Sequence, residues 1–141
     1  MGCGGALALR FLLDTHVLLW WLAGGDRLSP NAAAAIERAD SILLSSLTFW
    51  ETATLKRLGR VELDRELSLW VQDVLSQPRI TMAALSPEAA AWAGSLGPAF
   101  PGDPIDRLLY ATSRDLRVPL VSKDDSLRAF ASTTGEVEIV W

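Results

Sequence analysis

Short apolar runs set between helix-like stretches restrict this chain more than any other feature. "LALRFLLD" (7–14), "SILLSS" (41–46), "RITMAAL" (79–85), "VPLVS" (118–122) and "EVEIVW" (136–141) are strand-length, and most are apolar throughout rather than alternating. Runs of that kind belong to strands covered on both faces, as in a parallel sheet. The stretches between them carry helix punctuation. "THVLLWWLAGG" (15–25) reads as a helix with Thr15 as N-cap and Gly24-Gly25 as its stop. Ser29-Pro30, Ser86-Pro87 and Asp103-Pro104 each place a capping residue before a proline at the first helical position, predicting helices over 29–40, 86–97 and 103–117. Further helices are expected over 47–59, closed by Gly59, over 64–78, where Leu67, Trp70, Val71, Val74 and Leu75 make one apolar stripe, and over 123–130. No Asn-Gly hairpin joins the strands. Alternation of this kind predicts an α/β sandwich around a mostly parallel sheet.

The length of 141 residues suits one domain, read here as 1–141 with 1–6 as a flexible N-terminal tail. Half the residues are hydrophobic and 21% are charged, which suits a globular chain. The single cysteine, Cys3, can form no disulfide or cysteine metal site within the chain, which fits a reducing compartment. The apolar stretch 6–24 is interrupted by Arg10, Asp14 and His16. A charge at mid-bilayer costs about 2.5–3.5 kcal/mol, so a membrane span is not expected. A signal peptide would place its positive charge ahead of the apolar run. The expectation is a cytoplasmic protein. No glycine-rich dinucleotide or phosphate-loop motif is present. The net charge of −4 opposes general nucleic-acid binding unless a bound cation or a local basic rim offsets it.

In an open parallel sheet, ligands bind beyond the carboxyl ends of the strands. Several acids lie there. Asp14 follows "RFLL", Glu51 sits early in the helix after "SILLSS", Asp124 and Asp125 follow "VPLVSK", and Asp106 is on the first turn of the helix beginning near Asp103. Asp103 reads first as a helix cap, and an acid at position 106 also suits the helix dipole. Two unit charges about 4 Å apart repel by roughly 4 kcal/mol at an effective dielectric of about 20, so such a group must protonate or bind a cation. With one His and one Cys in the chain, the donors are oxygens, which suit Mg²⁺ or Mn²⁺. The matching chemistry is metal-assisted hydrolysis of a phosphodiester. "KRLGR" brings Lys56, Arg57 and Arg60 together as a candidate phosphate-binding rim, set against a plain role at the positive end of a helix.

"LLDTHVLLWWL", "SSLTFWETATLKRLGRVEL", "DPIDRLLYATS" and "LVSKDDSL" resemble, in order and spacing, the motifs of PIN-domain ribonucleases, nearest to the VapC-type toxins of toxin–antitoxin pairs. The likeness spans about 9–141. It implies a three-layer α/β/α domain, a homodimer, an Mg²⁺- or Mn²⁺-dependent endoribonuclease acting on RNA, and a partner antitoxin. Matched by motif, Asp14, Glu51, Asp106 and Asp124 are the metal-binding catalytic acids. Thr15, Ser46 and Ser122 match small hydroxyl residues beside them. Read from its own position next to Asp106, Arg107 is either a contact to phosphate or to an antitoxin acid or half of a surface ion pair. Ile105 departs from the Phe usual in this subgroup, and "AFPG" precedes Asp103 where relatives often carry a basic residue or His. Whether Asp103 or Asp125 joins the metal shell is left open. The rival reading is a non-catalytic acidic pocket that captures a basic partner peptide. A phosphatase with Asp14 as nucleophile is disfavoured, because His16 stands where a second aspartate is needed.

Overall fold

The structure is a computed structural model, and it describes residues 8–141. The tail expected over 1–6 lies outside the described residues. The chain runs β1 (Arg10–Leu13), α1 (Thr15–Leu22), α2 (Pro30–Arg38), β2 (Ser41–Ser45), α3 (Ser46–Arg57), α4 (Leu67–Leu75), β3 (Ile80–Ala83), α5 (Pro87–Ser95), α6 (Pro104–Leu116), β4 (Leu120–Val121), α7 (Asp125–Thr134) and β5 (Ile139–Val140). The strands form one sheet in the order β3-β2-β1-β4-β5, and every pairing is parallel.

The strand residues divide by parity, because successive side chains of a strand leave opposite faces. Phe11, Leu13, Ile42, Leu44 and Val121 pack on one face with Val17, Leu18, Ile36, Trp70 and Val74 from the helices α1, α2 and α4. Leu12, Leu43 and Leu120 pack on the other with Leu109, Tyr110 and Leu127 from α6 and α7. The runs read as apolar throughout because both sets are buried, giving helix, sheet and helix layers.

Strand order fixes where a site can form. The chain moves from β1 outward through β2 to β3, then crosses back so that β4 pairs with the other side of β1. The helices that follow β1 and β4 leave toward opposite faces, since α1 packs with the first cluster and α7 with the second. The carboxyl ends of β1 and β4 therefore flank the switch point, where open α/β sheets leave a crevice.

Three local details depart from expectation. The cap of α1 is Asp14, whose Oδ1 accepts the Val17 N–H at 2.9 Å, and not Thr15, which is the first helical residue and is buried. Helix α7 continues to Thr134, past the expected end at 130, and stops at Gly135 with φ 70°. The "ASTT" stretch has weak helix propensity, but Ala131 is buried against the sheet, and packing overrides propensity there. Finally, β4 and β5 pair over two residues each, far less than their apolar runs. Among the described residues, no helix is long and apolar enough to cross a membrane.

Candidate active site

A cleft of about 520 Å³ opens at the switch point, lined by Asp14, Glu51, Asp103, Asp106 and Asp124 together with Thr15, His16, Trp20, Leu109 and Lys123. The four acids expected at strand ends thus share one cleft, and Asp103 joins them. Asp125 does not line it; its carboxylate is exposed and paired with Arg128. That separates the two neighbouring aspartates by place, with Asp124 facing the cleft.

Most of these acids are fixed by helix starts. Asp14 caps α1. Asp103 and Asp106 form a reciprocal capping box at α6: the Asp106 N–H donates to Asp103 Oδ1 at 2.9 Å, and the Asp103 N–H donates to Asp106 Oδ2 at 3.2 Å. Asp124 Oδ1 accepts the Leu127 N–H at 3.0 Å and caps α7. Glu51 comes instead from the second turn of α3, whose cap is Ser45. Each capping carboxylate therefore commits an oxygen to the backbone and turns the rest of the group to the cleft.

The neighbouring segments hold this arrangement. The Ser122 hydroxyl, fully buried, accepts the Asp124 N–H at 3.2 Å. Ser46, the other predicted hydroxyl partner, is exposed at the first position of α3 and does not line the cleft. Gly102 sits so close to Asp106 that a Cβ there would meet Asp106 Cβ at 2.4 Å and Phe100 Cε1 at 2.8 Å. Only glycine leaves the Asp106 side chain in its place. Arg107 donates to the carbonyls of Leu96 and Gly97 and lies over the Phe100 ring at 5.3 Å. It ties the loop ahead of Asp103 to α6, and its guanidinium is engaged with protein carbonyls. Lys56 and Arg57 are exposed at the far end of α3, and Arg60 lines a separate groove of about 890 Å³.

The electrostatics follow from crowding. Burial raises the Asp14 carboxyl above its ordinary value; the Ser122 hydroxyl, the Val17 N–H and His16 oppose the rise, and the charge of Glu51 adds to it. Asp106 is pushed up to about 7, first by burial, then by the Asp103 charge, with Asp14 contributing in the same direction. Cleft acids that resist ionisation are the mark of a site short of positive charge.

The donors are oxygens, as hard cations require. The Thr15 Oγ1 is buried and has no hydrogen-bond partner, and Thr15 lines the cleft. A buried hydroxyl left unpaired is costly, and a ligand water would satisfy it. Among the described residues, however, no group of three acids, histidines or cysteines is drawn together as a closed metal cage. The arrangement fits an open site of the Mg²⁺ kind, in which one or two carboxylates share the ion with waters and substrate phosphate.

Comparison with known proteins agrees with this construction. The family model for the PIN domain matches residues 11–132. The chain belongs to the PIN-domain family. It is 40% identical over 118 residues to Ribonuclease VapC22 of Mycobacterium tuberculosis, covering 84% of this chain and 89% of that protein. Its fold is similar to that of a toxin–antitoxin complex from Klebsiella pneumoniae, with a TM-score of 0.60 at 19% identity over 84% of this chain and 89% of the other. It is also similar to VapBC2 from Rickettsia felis bound to a DNA fragment from its promoter, with a TM-score of 0.58 at 12% identity over 93% and 97%.

Proposed function

We propose that this chain is the toxin of a toxin–antitoxin pair, an endoribonuclease that hydrolyses RNA phosphodiesters with the help of Mg²⁺ or Mn²⁺. The observation that carries the reading is the gathering of Asp14, Glu51, Asp106 and Asp124 in one cleft at the switch point, within a PIN-family chain similar to a protein named as a ribonuclease. Those four acids are the ones that would hold the ion, directly or through water. When bound, it would supply Lewis acidity, making hydroxide available near neutral pH and stabilising charge on the phosphate.

The protein's own groups do the rest. The carboxylate oxygens that the caps leave over on Asp14, Asp106 and Asp124 orient the attacking water and accept its proton. Thr15 Oγ1 and Ser122 lie beside Asp14 and Asp124, where hydroxyls fix the orientation of carboxylates or water. Asp103 acts through Asp106 by the capping box. A cognate antitoxin and a second copy of this chain are the proposed protein partners, and the cytoplasm the proposed compartment. Trp50, 60% exposed on α3, and Leu58 supply apolar surface for such contacts.

Incubation of single-stranded RNA with the purified protein tests the reading. Cleavage in Mg²⁺ or Mn²⁺ should vanish in EDTA and fall by about a hundredfold or more in Asp106→Asn, the scale of losing a group that stabilises transition-state charge. Cleavage at full rate in EDTA would sink the metal mechanism. Absence of cleavage alongside tight capture of a basic peptide would favour the acidic-pocket reading.

A further inference from the structure

Among the described residues, Lys123 is the one lysine or arginine that lines the cleft with its five carboxylates, and no ion pair within 4.0 Å joins it to them. Among the described residues the ion pairs within 4.0 Å are Arg65 with Asp64 and Asp73, Arg114 with Glu136, and Arg128 with Asp125. The Lys123 ammonium instead lies over the Trp20 ring, 5.4 Å from its centroid. Trp20 is itself held, by His16 at 5.8 Å and Trp141 at 6.0 Å between ring centroids. Trp20 lines both the acid cleft and the adjoining larger groove, where Arg27 lies 6.0 Å from the same ring. An exposed lysine next to Asp124 would ordinarily collapse onto the nearest carboxylate. A cation–π contact keeps it elsewhere without consuming its hydrogen-bond donors, because the ring attracts the charge and accepts no strong hydrogen bond.

We infer that Lys123, held by Trp20, binds a backbone phosphate of single-stranded RNA next to the one being cleaved. This rests on the ribonuclease reading. A carboxylate-lined cleft repels a polyanion, and a cation at the cleft itself can balance only the phosphate it touches. The neighbouring phosphate needs a countercharge of its own, and a lysine supplies one as a point charge. Lys123 is then a substrate-binding residue and Trp20 its positioning residue. Sequence reasoning placed the basic rim at Lys56, Arg57 and Arg60, none of which lines the acid cleft.

The test is equilibrium binding of a labelled single-stranded RNA to Asp14→Asn protein in Mg²⁺ across a salt series, with single-turnover cleavage by the otherwise wild-type chain. Lys123→Ala should weaken binding about fivefold to tenfold and reduce the slope of log affinity against log salt by about 0.7, the share of one phosphate contact on a single strand. Lys123→Arg should restore the slope. Trp20→Leu should weaken binding without lowering the slope, and should cost nothing further when Lys123 is already alanine. Trp20→Phe keeps a ring under the ammonium and should stay within about twofold of the parent. A parent that binds and cleaves RNA but is indifferent to Lys123→Ala overturns this inference alone. Additive losses from Trp20 and Lys123 overturn the positioning role. A parent that does not bind RNA overturns the ribonuclease reading and this one with it.

Discussion

Three helices that open onto the cleft begin with an aspartate cap, whereas α2 and α5, which pack away from it, begin with serine, and α4 begins at Glu66 with no side-chain cap. Asp14, Asp103 and Asp124 cap α1, α6 and α7. Ser29 and Ser86 cap α2 and α5, and each accepts an N–H at 3.0 Å from the residue three positions on. Helix α3 lies between the two groups, with a serine cap at Ser45 and a cleft acid, Glu51, a turn later. As caps, Asp and Ser are nearly equivalent. Folding alone gives no reason to gather the charged version at one place, where burial and mutual repulsion raise the Asp14 and Asp106 carboxyls. The serine-capped ends are built for stability, and the aspartate-capped ends carry charge beyond what stability asks for.

The strongest way to break this comparison is Asp14→Ser. The substitution keeps the cap and removes the charge. Thermal stability should stay level or rise, because a crowded carboxylate is gone and the Val17 N–H keeps an acceptor. Metal-dependent RNA cleavage should fall by about a hundredfold or more. Calorimetry and a cleavage assay on the same preparation separate the two effects. Full activity in Asp14→Ser at unchanged stability would make Asp14 a cap and nothing more.

Of the fold, the parts set by local rules were legible. Apolar runs marked the strands, and Ser29-Pro30, Ser86-Pro87 and Asp103-Pro104 marked helix starts. Strand-end acids then located the cleft, because a parallel sheet leaves its crevice there. What escaped depends on contacts between distant segments. Asp14 and Thr15 are both good caps, and only the backbone path decides which becomes the first helical residue. Arg107 read as a phosphate or antitoxin contact or as a surface pair, but the loop at 96–97 folds back within its reach and its guanidinium donates to backbone carbonyls there. Lys123 gave no signal in the sequence, since Trp20 lies far from it along the chain. Asp124 and Asp125 could be told apart only by where α7 points them.

A smaller effect, and one that sharpens the contrast, is the dependence of stability on pH. Asp106 has its folded value pushed up to about 7 against an ordinary 3.8, and Asp14 is raised as well. The folded state then holds protons that the unfolded state releases, so stability falls as pH rises between those values. In EDTA, the melting temperature should climb as pH is lowered from 8 through 7 and level off near 4, as far as these groups decide it. Saturating Mg²⁺ should flatten the climb, because an ion favours the charged carboxylates. Asp14→Ser should also reduce it. A profile in EDTA that rises with pH over the same window would mean the cleft acids are not strained by their charge.

The mildest test falls on the other set of helices. Ser29 does not line the cleft, and its hydroxyl oxygen accepts the Ala32 N–H at the start of α2. Ser29→Ala should cost about 1 kcal/mol, because one N–H at the helix start loses its partner. For a chain of this size that is about 4 °C in melting temperature. Cleavage rate and Mg²⁺ affinity should not change. Ser29→Asp should recover the stability, since an acid caps equally well and complements the helix dipole, and it should give no new metal binding. The pair of substitutions isolates what differs between a serine cap outside the cleft and the aspartate caps within it. An aspartate cap at α2 stands alone in solvent, and only where several such caps face one another does their charge call for an ion.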